Sequence, residues 1–135
     1  MTIKQNEIDF IIYADESERK AEYFSNFYVG LIIQASSEKL ASEALEAVKF
    51  RENLHNELKW QKVTLPYKEK YKAFVSAFFD LVDTGVIRLR IMFTDNRIQP
   101  IGLTAEQRRA SFLILYYQFA RHAFGLKHAN PDGRY

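Results

Sequence analysis

The sequence predicts an α/β domain, because short apolar segments typical of strands alternate with longer segments of helical periodicity. Residues 8–14 (IDFIIYA) and 24–34 (FSNFYVGLIIQ) are rich in β-branched and aromatic residues. Residues 86–94 alternate apolar and polar side chains, the pattern of a strand with two different faces. The chain has 135 residues, of which 47% are hydrophobic and 27% charged. That length and composition suit a single domain, 1–135, with a buried core.

The first two strands are predicted to pair with each other. Strand 8–14 is expected to be buried on both faces and to end in a turn at Asp15-Glu16-Ser17. Strand 24–34 follows closely enough to be its antiparallel partner. Gly30, inside this second strand, indicates a bulge or a close approach of the backbone to another element.

Two helices are predicted between the second and third strands. Ser36 or Ser37 is expected to cap the first helix, which would extend to about His55. Pro66 suits the first position of the second helix, which Gly85 ends. Apolar side chains recur along that second helix at helical spacing: Tyr71, Phe74, Val75, Phe78 and Val82.

The third strand, 86–94, is expected to present one apolar face to the core. That face consists of Ile87, Leu89, Ile91 and Phe93, and the opposite face of Arg88, Arg90 and Met92. Asp95 has the same parity as the apolar set, so it would project from the core side of the strand's end.

A third helix is predicted from the capping box Thr104-Ala-Glu-Gln107 to about Gly125. It has two apolar stripes, one of Phe112, Leu115, Tyr116, Phe119 and Ala123, and one of Leu113, Tyr117, Ala120 and Phe124. A helix that is apolar around so much of its circumference must be covered on more than one side. Either a homo-oligomer forms through helix 104–124, or the natural protein continues beyond Tyr135; we favour the second.

Composition excludes several classes of protein. The chain contains no Cys, which excludes disulfides and thiolate metal sites. Its three His residues do not include a pair at the i, i+4 spacing of a helical zinc site. The absence of a signal peptide and of a long apolar run predicts a cytoplasmic protein without a membrane partner. A net charge of +2 permits a nucleic-acid partner without requiring one.

Acidic residues near the ends of predicted strands are the candidate catalytic groups. Carboxylates at strand ends can converge at one edge of a sheet and form an oxygen cage for Mg²⁺ or Mn²⁺. Such ions activate water and stabilise the leaving oxygen in phosphodiester cleavage. Asp15 and Asp95 are the candidate metal ligands, and Lys59 and Lys62 are candidates for holding a phosphate backbone.

These residues also have interpretations that involve no catalysis. Asp15 is an ordinary turn residue, and Asp95 with the following Asn would form a plain turn after a strand. Glu57 and Lys59 form a surface pair in that interpretation. Trp60 is more often a core anchor than a platform for stacking bases. From spacing alone, the sequence indicates an α/β domain with an acidic cluster.

Three segments, in order, resemble motifs of the domain-of-unknown-function 3800 family. They are residues 11–17 (IIYADES), residues 57–63 (ELKWQKV) and the strand 86–93 with the Thr-Asp that ends it. The resemblance covers most of the chain. It implies a ribonuclease H-like fold, in which helices flank a mixed sheet, and the metal-dependent nuclease activity inferred for that family.

The family's functional residues carry over onto this sequence at specific positions. Its opening acidic pair falls on Asp15 and Glu16, its second motif places Glu57 and Lys59, and its strand-end acid falls on Asp95. In the resulting hypothesis Asp15 and Asp95 bind the metal, Glu16 or Glu57 is a further ligand or base, and substrate contacts fall on Ser17, Lys59 and Lys62.

One departure from the family concerns its C-terminal Gln-x-x-Asp element. Gln118 is followed three positions later by Arg121, so the third helix does not supply that acid. The resemblance therefore implies the N-terminal portion of a longer domain, with an incomplete site. The alternative function is a non-catalytic α/β module that assembles through helix 104–124. A nucleic-acid binder without cleavage is a third possibility.

Overall fold

The computed structural model describes residues 8–126 and confirms the α/β class. The elements in chain order are β1 (Phe10–Lys20), β2 (Phe24–Gln34), α1 (Ala35–Arg51), α2 (Lys68–Asp83), β3 (Ile87–Asp95) and α3 (Ala105–His122). Two short 3₁₀ turns, Trp60–Lys62 and Leu65–Tyr67, lie between α1 and α2.

These three strands form one antiparallel sheet in the order β1-β2-β3, in place of the mixed sheet that the resemblance implies. A turn of three residues, 21–23, joins β1 to β2, and so short a link permits only antiparallel pairing. Between β2 and β3 the chain forms two helices, which pack against each other. A parallel pair is instead usually joined by a single crossover helix.

β1 is longer than predicted, and it carries residues 15–17 in its interior. The predicted turn at Asp15-Glu16-Ser17 is therefore wrong. The chain reverses at 21–23, where the Ala21 N–H donates to the Phe24 carbonyl at 3.1 Å. β1 is an edge strand, and the side chains of residues 8–14 are all exposed or half-buried, so the prediction of burial on both faces is also wrong. The side chains from 15 to 18 are exposed as well. Polar side chains are tolerated there because an edge strand needs only one hydrogen-bonded neighbour.

The described chain divides into two compact units. The first, here called the sheet–α3 unit, comprises residues 12–32 and 89–126; the second, the helical unit, comprises residues 8–11 and 33–88.

Aromatic packing between β2 and α3 forms the core of the sheet–α3 unit. Tyr28 is fully buried, and its ring lies 5.3 Å from that of Phe112, 5.8 Å from that of Tyr116 and 6.2 Å from that of Phe119. The Tyr28 hydroxyl donates to the Phe112 carbonyl at 2.8 Å. The backbone at Gly30 also passes close beneath α3. A Cβ atom there would lie 3.1 Å from Phe119 Cε1, so the predicted close approach is observed.

The capping box predicted at the start of α3 is confirmed. The Gln107 N–H donates to Thr104 Oγ1 at 3.1 Å, and the Thr104 N–H donates to Gln107 Oε1 at 2.9 Å. Both bonds satisfy backbone donors that the first turn of a helix leaves without partners.

α1 begins directly after β2, so the predicted Ser36 or Ser37 cap is wrong. Gln34 is the N-cap residue and makes no side-chain capping bond. The helix ends at Arg51, before His55, because Asn53 adopts a left-handed conformation with φ of 56°. The N–H groups of Asn53 and Leu54 then donate to the Phe50 and Lys49 carbonyls, the pattern of a Schellman motif.

The end of α2 agrees with the sequence, but the helix begins at Lys68, so the prediction that Pro66 is its first residue is wrong. Pro66 lies in the 3₁₀ turn that leads into the helix, and Gly85 follows the helix with φ of 76°. In β3, Ile87 is buried and Leu89 half-buried, as predicted. Ile91 and Phe93 are 61% and 49% exposed. The prediction that they face the core is therefore wrong.

Candidate functional site

The candidate acidic motif lies in an extended strand, which separates its side chains. Successive side chains of a strand point to opposite faces of the sheet. Asp15 and Ser17 therefore share one face, while Glu16 and Glu18 share the other. All four are exposed. Asp15 and Glu16 cannot ligate the same ion while β1 keeps this conformation.

The pKa of Tyr28 agrees with this alternation, because Glu16 and Glu18, which share a face of β1, both act on it. Burial raises the pKa of the Tyr28 hydroxyl, and the negative charges of Glu18 and then Glu16 raise it further. The Asp15 carboxylate instead accepts a hydrogen bond from the Glu16 backbone N–H at 3.0 Å. Asp15 keeps most of its oxygen lone pairs available to solvent or to a cation.

Asp95 is held by an arginine at the C-terminal end of β3. Its two carboxylate oxygens accept hydrogen bonds from Arg97 Nη2 at 2.7 Å and from Arg97 Nε at 2.9 Å. The Arg97 backbone N–H adds a third bond at 3.0 Å. Together these bonds lower the pKa of Asp95 to about 2. Both carboxylate oxygens are thus already engaged by a fixed positive charge.

Asp15 and Asp95 lie far apart in the sheet. The Asn96 N–H donates to the Tyr23 carbonyl at 2.8 Å, which places Asp95 beside the β1–β2 turn. Asp15 lies five residues before the end of β1 at that turn, roughly 17 Å along the strand. β2 also separates β1 from β3, which adds roughly 10 Å across the sheet. These two carboxylates therefore do not converge on one ion or on a pair of ions.

The second motif lies in the helical unit. Glu57 Oε2 and Lys59 Nζ form an ion pair at 2.9 Å, with side chains 73% and 50% exposed. This is the surface pair that the non-catalytic interpretation expects. Lys62 ends the 3₁₀ turn and is exposed. Trp60 is 88% exposed, so its interpretation as a core anchor is wrong, because the 3₁₀ turn presents the indole to solvent.

The described side chains form no complete metal site. Within residues 8–126, no three His, Cys, Asp or Glu side chains are grouped so that they could hold a metal ion. One face of β1 offers Asp15, and the other offers Glu16 with Glu18. The described residues thus offer Mg²⁺ or Mn²⁺ no cage made of protein carboxylates alone, and an ion at Asp15 would take most of its oxygen ligands from water or from a substrate phosphate.

Comparison with known proteins gives no relative for this chain. No protein family, curated protein or solved structure matches it. The resemblance to the domain-of-unknown-function 3800 family thus rests on its three motifs. No helix found between residues 8 and 126 combines the length and apolar character needed to cross a membrane.

The two apolar stripes of α3 differ in burial. Phe119, from the first stripe, is 2% exposed against the sheet. In the second stripe, Leu113 and Tyr117 are 68% and 59% exposed, whereas Phe124 packs edge-on against Phe119 at 5.8 Å. One apolar face of α3 is therefore open in the described chain, as the sequence predicted.

A basic groove in the helical unit was not predicted. It has a volume of about 1000 Å³. Trp60 lines it together with apolar side chains and lysines, namely Leu65, Tyr71, Phe74, Val75, Lys59, Lys68 and Lys72. The signal was present in the sequence, because residues 57–72 contain five lysines but only two glutamates.

Proposed function

We propose that this chain is a divalent-metal-dependent nuclease of ribonuclease H-like type that hydrolyses phosphodiester bonds in RNA or DNA. The proposal rests on Asp15, which lies within the motif IIYADES and has an exposed carboxylate in an edge strand. Carboxylate oxygens are the ligands that Mg²⁺ and Mn²⁺ prefer in proteins. Lys59 and Lys62 are the proposed phosphate contacts.

The roles within this proposal follow from the two faces of β1. Asp15 is the proposed metal ligand, and Ser17 lies on the same face as a proposed substrate contact. Glu16 lies on the other face, so its proposed role cannot be to share an ion with Asp15 in this conformation. Asp95 is better explained as a structural residue, because Arg97 engages both of its oxygens.

Replacement of Asp15 by asparagine is expected to weaken Mn²⁺ binding by at least about tenfold, since it removes a charged ligand while keeping the side chain's shape and its acceptor for the Glu16 N–H. Isothermal titration of the wild-type chain and the Asp15→Asn variant with MnCl₂ and MgCl₂ measures this loss. Asp83→Asn is the matched control, because Asp83 is an exposed carboxylate at the end of α2. Failure of the wild type to bind either ion, or equal binding by the Asp15 variant, would refute the proposal.

The open face of α3 favours a second candidate, a non-catalytic module that assembles through helix 104–124. Exposed apolar side chains at Leu113 and Tyr117 would be removed from water by a second copy. Burial of such side chains stabilises an interface by about 25 cal/mol per Å² of apolar surface.

This assembly predicts a concentration-dependent oligomer that the Leu113→Glu variant shifts to monomer, because a charge buried without a partner opposes association. Sedimentation velocity over a range of protein concentrations measures the shift. Gln118→Glu adds the same charge on the same helix at a position that is already polar, so it should leave association unchanged. A wild-type chain that stays monomeric at every concentration rules out the assembly.

A further inference from the structure

We propose that the groove around Trp60 binds single-stranded nucleic acid, with a base stacked on the indole and the flanking lysines on phosphates. The inference that this strand is the substrate rests on the proposed nuclease function. The inference that the groove binds a strand rests only on the side chains of the helical unit.

Positive charge is concentrated in the segment that forms the groove. With five lysines and two glutamates, residues 57–72 carry a net charge of +3, whereas the whole chain carries +2. The remainder of the chain is therefore slightly acidic. A polyanion is therefore attracted to this segment.

The indole of Trp60 is placed for contact with a partner. It is 88% exposed, although burial of a Trp side chain is strongly favourable. The 3₁₀ turn Trp60–Lys62 and the following turn Leu65–Tyr67, which contains Pro66, fix the backbone on its C-terminal side. An exposed aromatic ring is the platform on which proteins stack unpaired bases.

Three lysines line the groove together with this ring, namely Lys59, Lys68 and Lys72. Lys59 and Lys72 are paired with Glu57 and Glu69, whereas the ion pairs found within residues 8–126 do not include Lys68. A base stacked on the indole would carry phosphates next to it, which the lysines of the same groove can meet.

The same groove could be considered for an acidic amphipathic helix, but an exposed flat indole beside lysines is the combination that stacks a base while binding its phosphates. A helix would bury Leu65, which is also 88% exposed, as fully as Trp60. A stacked base needs the flat ring and the lysines and draws nothing from the leucine side chain. The two partners therefore predict different effects at these two positions.

The single tryptophan makes the experiment specific to this site. Titration of the wild-type chain with a short oligothymidylate, in EDTA and at low salt, is expected to quench Trp60 fluorescence, because a stacked base quenches an indole. Duplex DNA of the same length should quench it less, since its bases are already stacked on one another. An acidic amphipathic peptide would instead shift the emission to shorter wavelength by covering the ring with apolar groups. That shift, at lower ligand concentration than the oligonucleotide requires, would overturn the proposal.

Variants separate stacking from general apolar contact when binding is followed by fluorescence anisotropy of a labelled oligothymidylate. Trp60→Ala should weaken binding by between roughly fivefold and a hundredfold, the range found for loss of one stacked base. Trp60→Phe should retain most of the affinity, and Leu65→Ala should retain all of it. Lys68→Gln, at a lysine that lines the groove, should reduce the salt dependence by about 0.7 in the slope of log K against log[salt]. Equal losses in the Trp60→Ala and Leu65→Ala variants, or no binding by the wild type, contradict stacking at this site.

Working in EDTA keeps this test independent of the metal. Strand binding without any Mn²⁺ binding at Asp15 would refute the nuclease and leave the Trp60 groove assigned. Mn²⁺ binding at Asp15 without strand binding would refute the groove and leave the nuclease proposal standing.

Discussion

Replacement of Tyr28 by alanine is expected to lower the free energy of unfolding by about 3–5 kcal/mol, the range for truncating a large buried aromatic side chain. Tyr28 is fully buried beneath α3, in contact with three other aromatic rings. The substitution leaves a cavity between β2 and α3 and removes the hydrogen bond to the Phe112 carbonyl. Urea unfolding followed by circular dichroism measures the loss.

Two further substitutions show whether this loss arises from packing. Tyr28→Phe keeps the ring and removes only the hydroxyl, so it should cost about 1 kcal/mol. Tyr117→Ala truncates a tyrosine on α3 that is 59% exposed, and at low protein concentration it should change stability by less than about 0.5 kcal/mol. If Tyr28→Ala lowered the free energy of unfolding no more than Tyr117→Ala does, Tyr28 would not be packed between β2 and α3. If Tyr28→Ala does not fold, Tyr28→Phe still tests the hydrogen bond.

Elements with strong local signals were predictable from the sequence. β2 has the same bounds in the structure, 24–34, as in the prediction. The capping box at Thr104 and the end of α2 before Gly85 were also correct. In each of these the deciding interactions lie within a few residues of one another, so sequence spacing describes them completely.

β1 shows where local reasoning fails. The run Asp15-Glu16-Ser17 has the composition of a turn, and short polar residues do favour turns. Pairing with β2 overrides that preference, because backbone hydrogen bonds to a neighbouring strand form irrespective of side-chain polarity at an exposed edge. The sequence predicted the partner strand, β2, but it did not predict how many residues of β1 pair with it.

The candidate site depended on the same information. Asp15 and Glu16 are adjacent in sequence, and a turn could have directed both carboxylates to one point. In the strand they lie on opposite faces. Asp95 was expected at the same edge as Asp15, but the order β1-β2-β3 places β2 between them. Strand order and register depend on contacts between distant residues, which a single sequence does not reveal.

Gly30 is where the sequence predicted a constraint whose cause only the structure identifies. A Cβ atom at this position would lie 2.8 Å from Phe124 Cζ and 3.2 Å from Phe119 Cζ. Phe119 is 2% exposed, so it has little room to move, whereas Phe124 is half-buried beyond the end of α3. Even the smallest side chain at position 30 therefore requires the Phe124 ring to shift and crowds Phe119, which has little room to yield.

Gly30→Ala is accordingly expected to lower the free energy of unfolding by about 1–3 kcal/mol, the usual cost of overpacking. The same change also reduces the entropy of the unfolded chain, an effect that alone would stabilise the folded protein by about 0.4–1 kcal/mol. We expect the steric cost to exceed that gain. Urea unfolding of Gly30→Ala in two backgrounds, wild type and Phe124→Leu, tests the steric cause. The shorter leucine removes the ring atom at 2.8 Å, so Gly30→Ala should cost at least about 0.5 kcal/mol less in that background. A cost that is the same in both backgrounds would attribute the loss to the strand backbone, and a stabilising Gly30→Ala would contradict the close approach of α3.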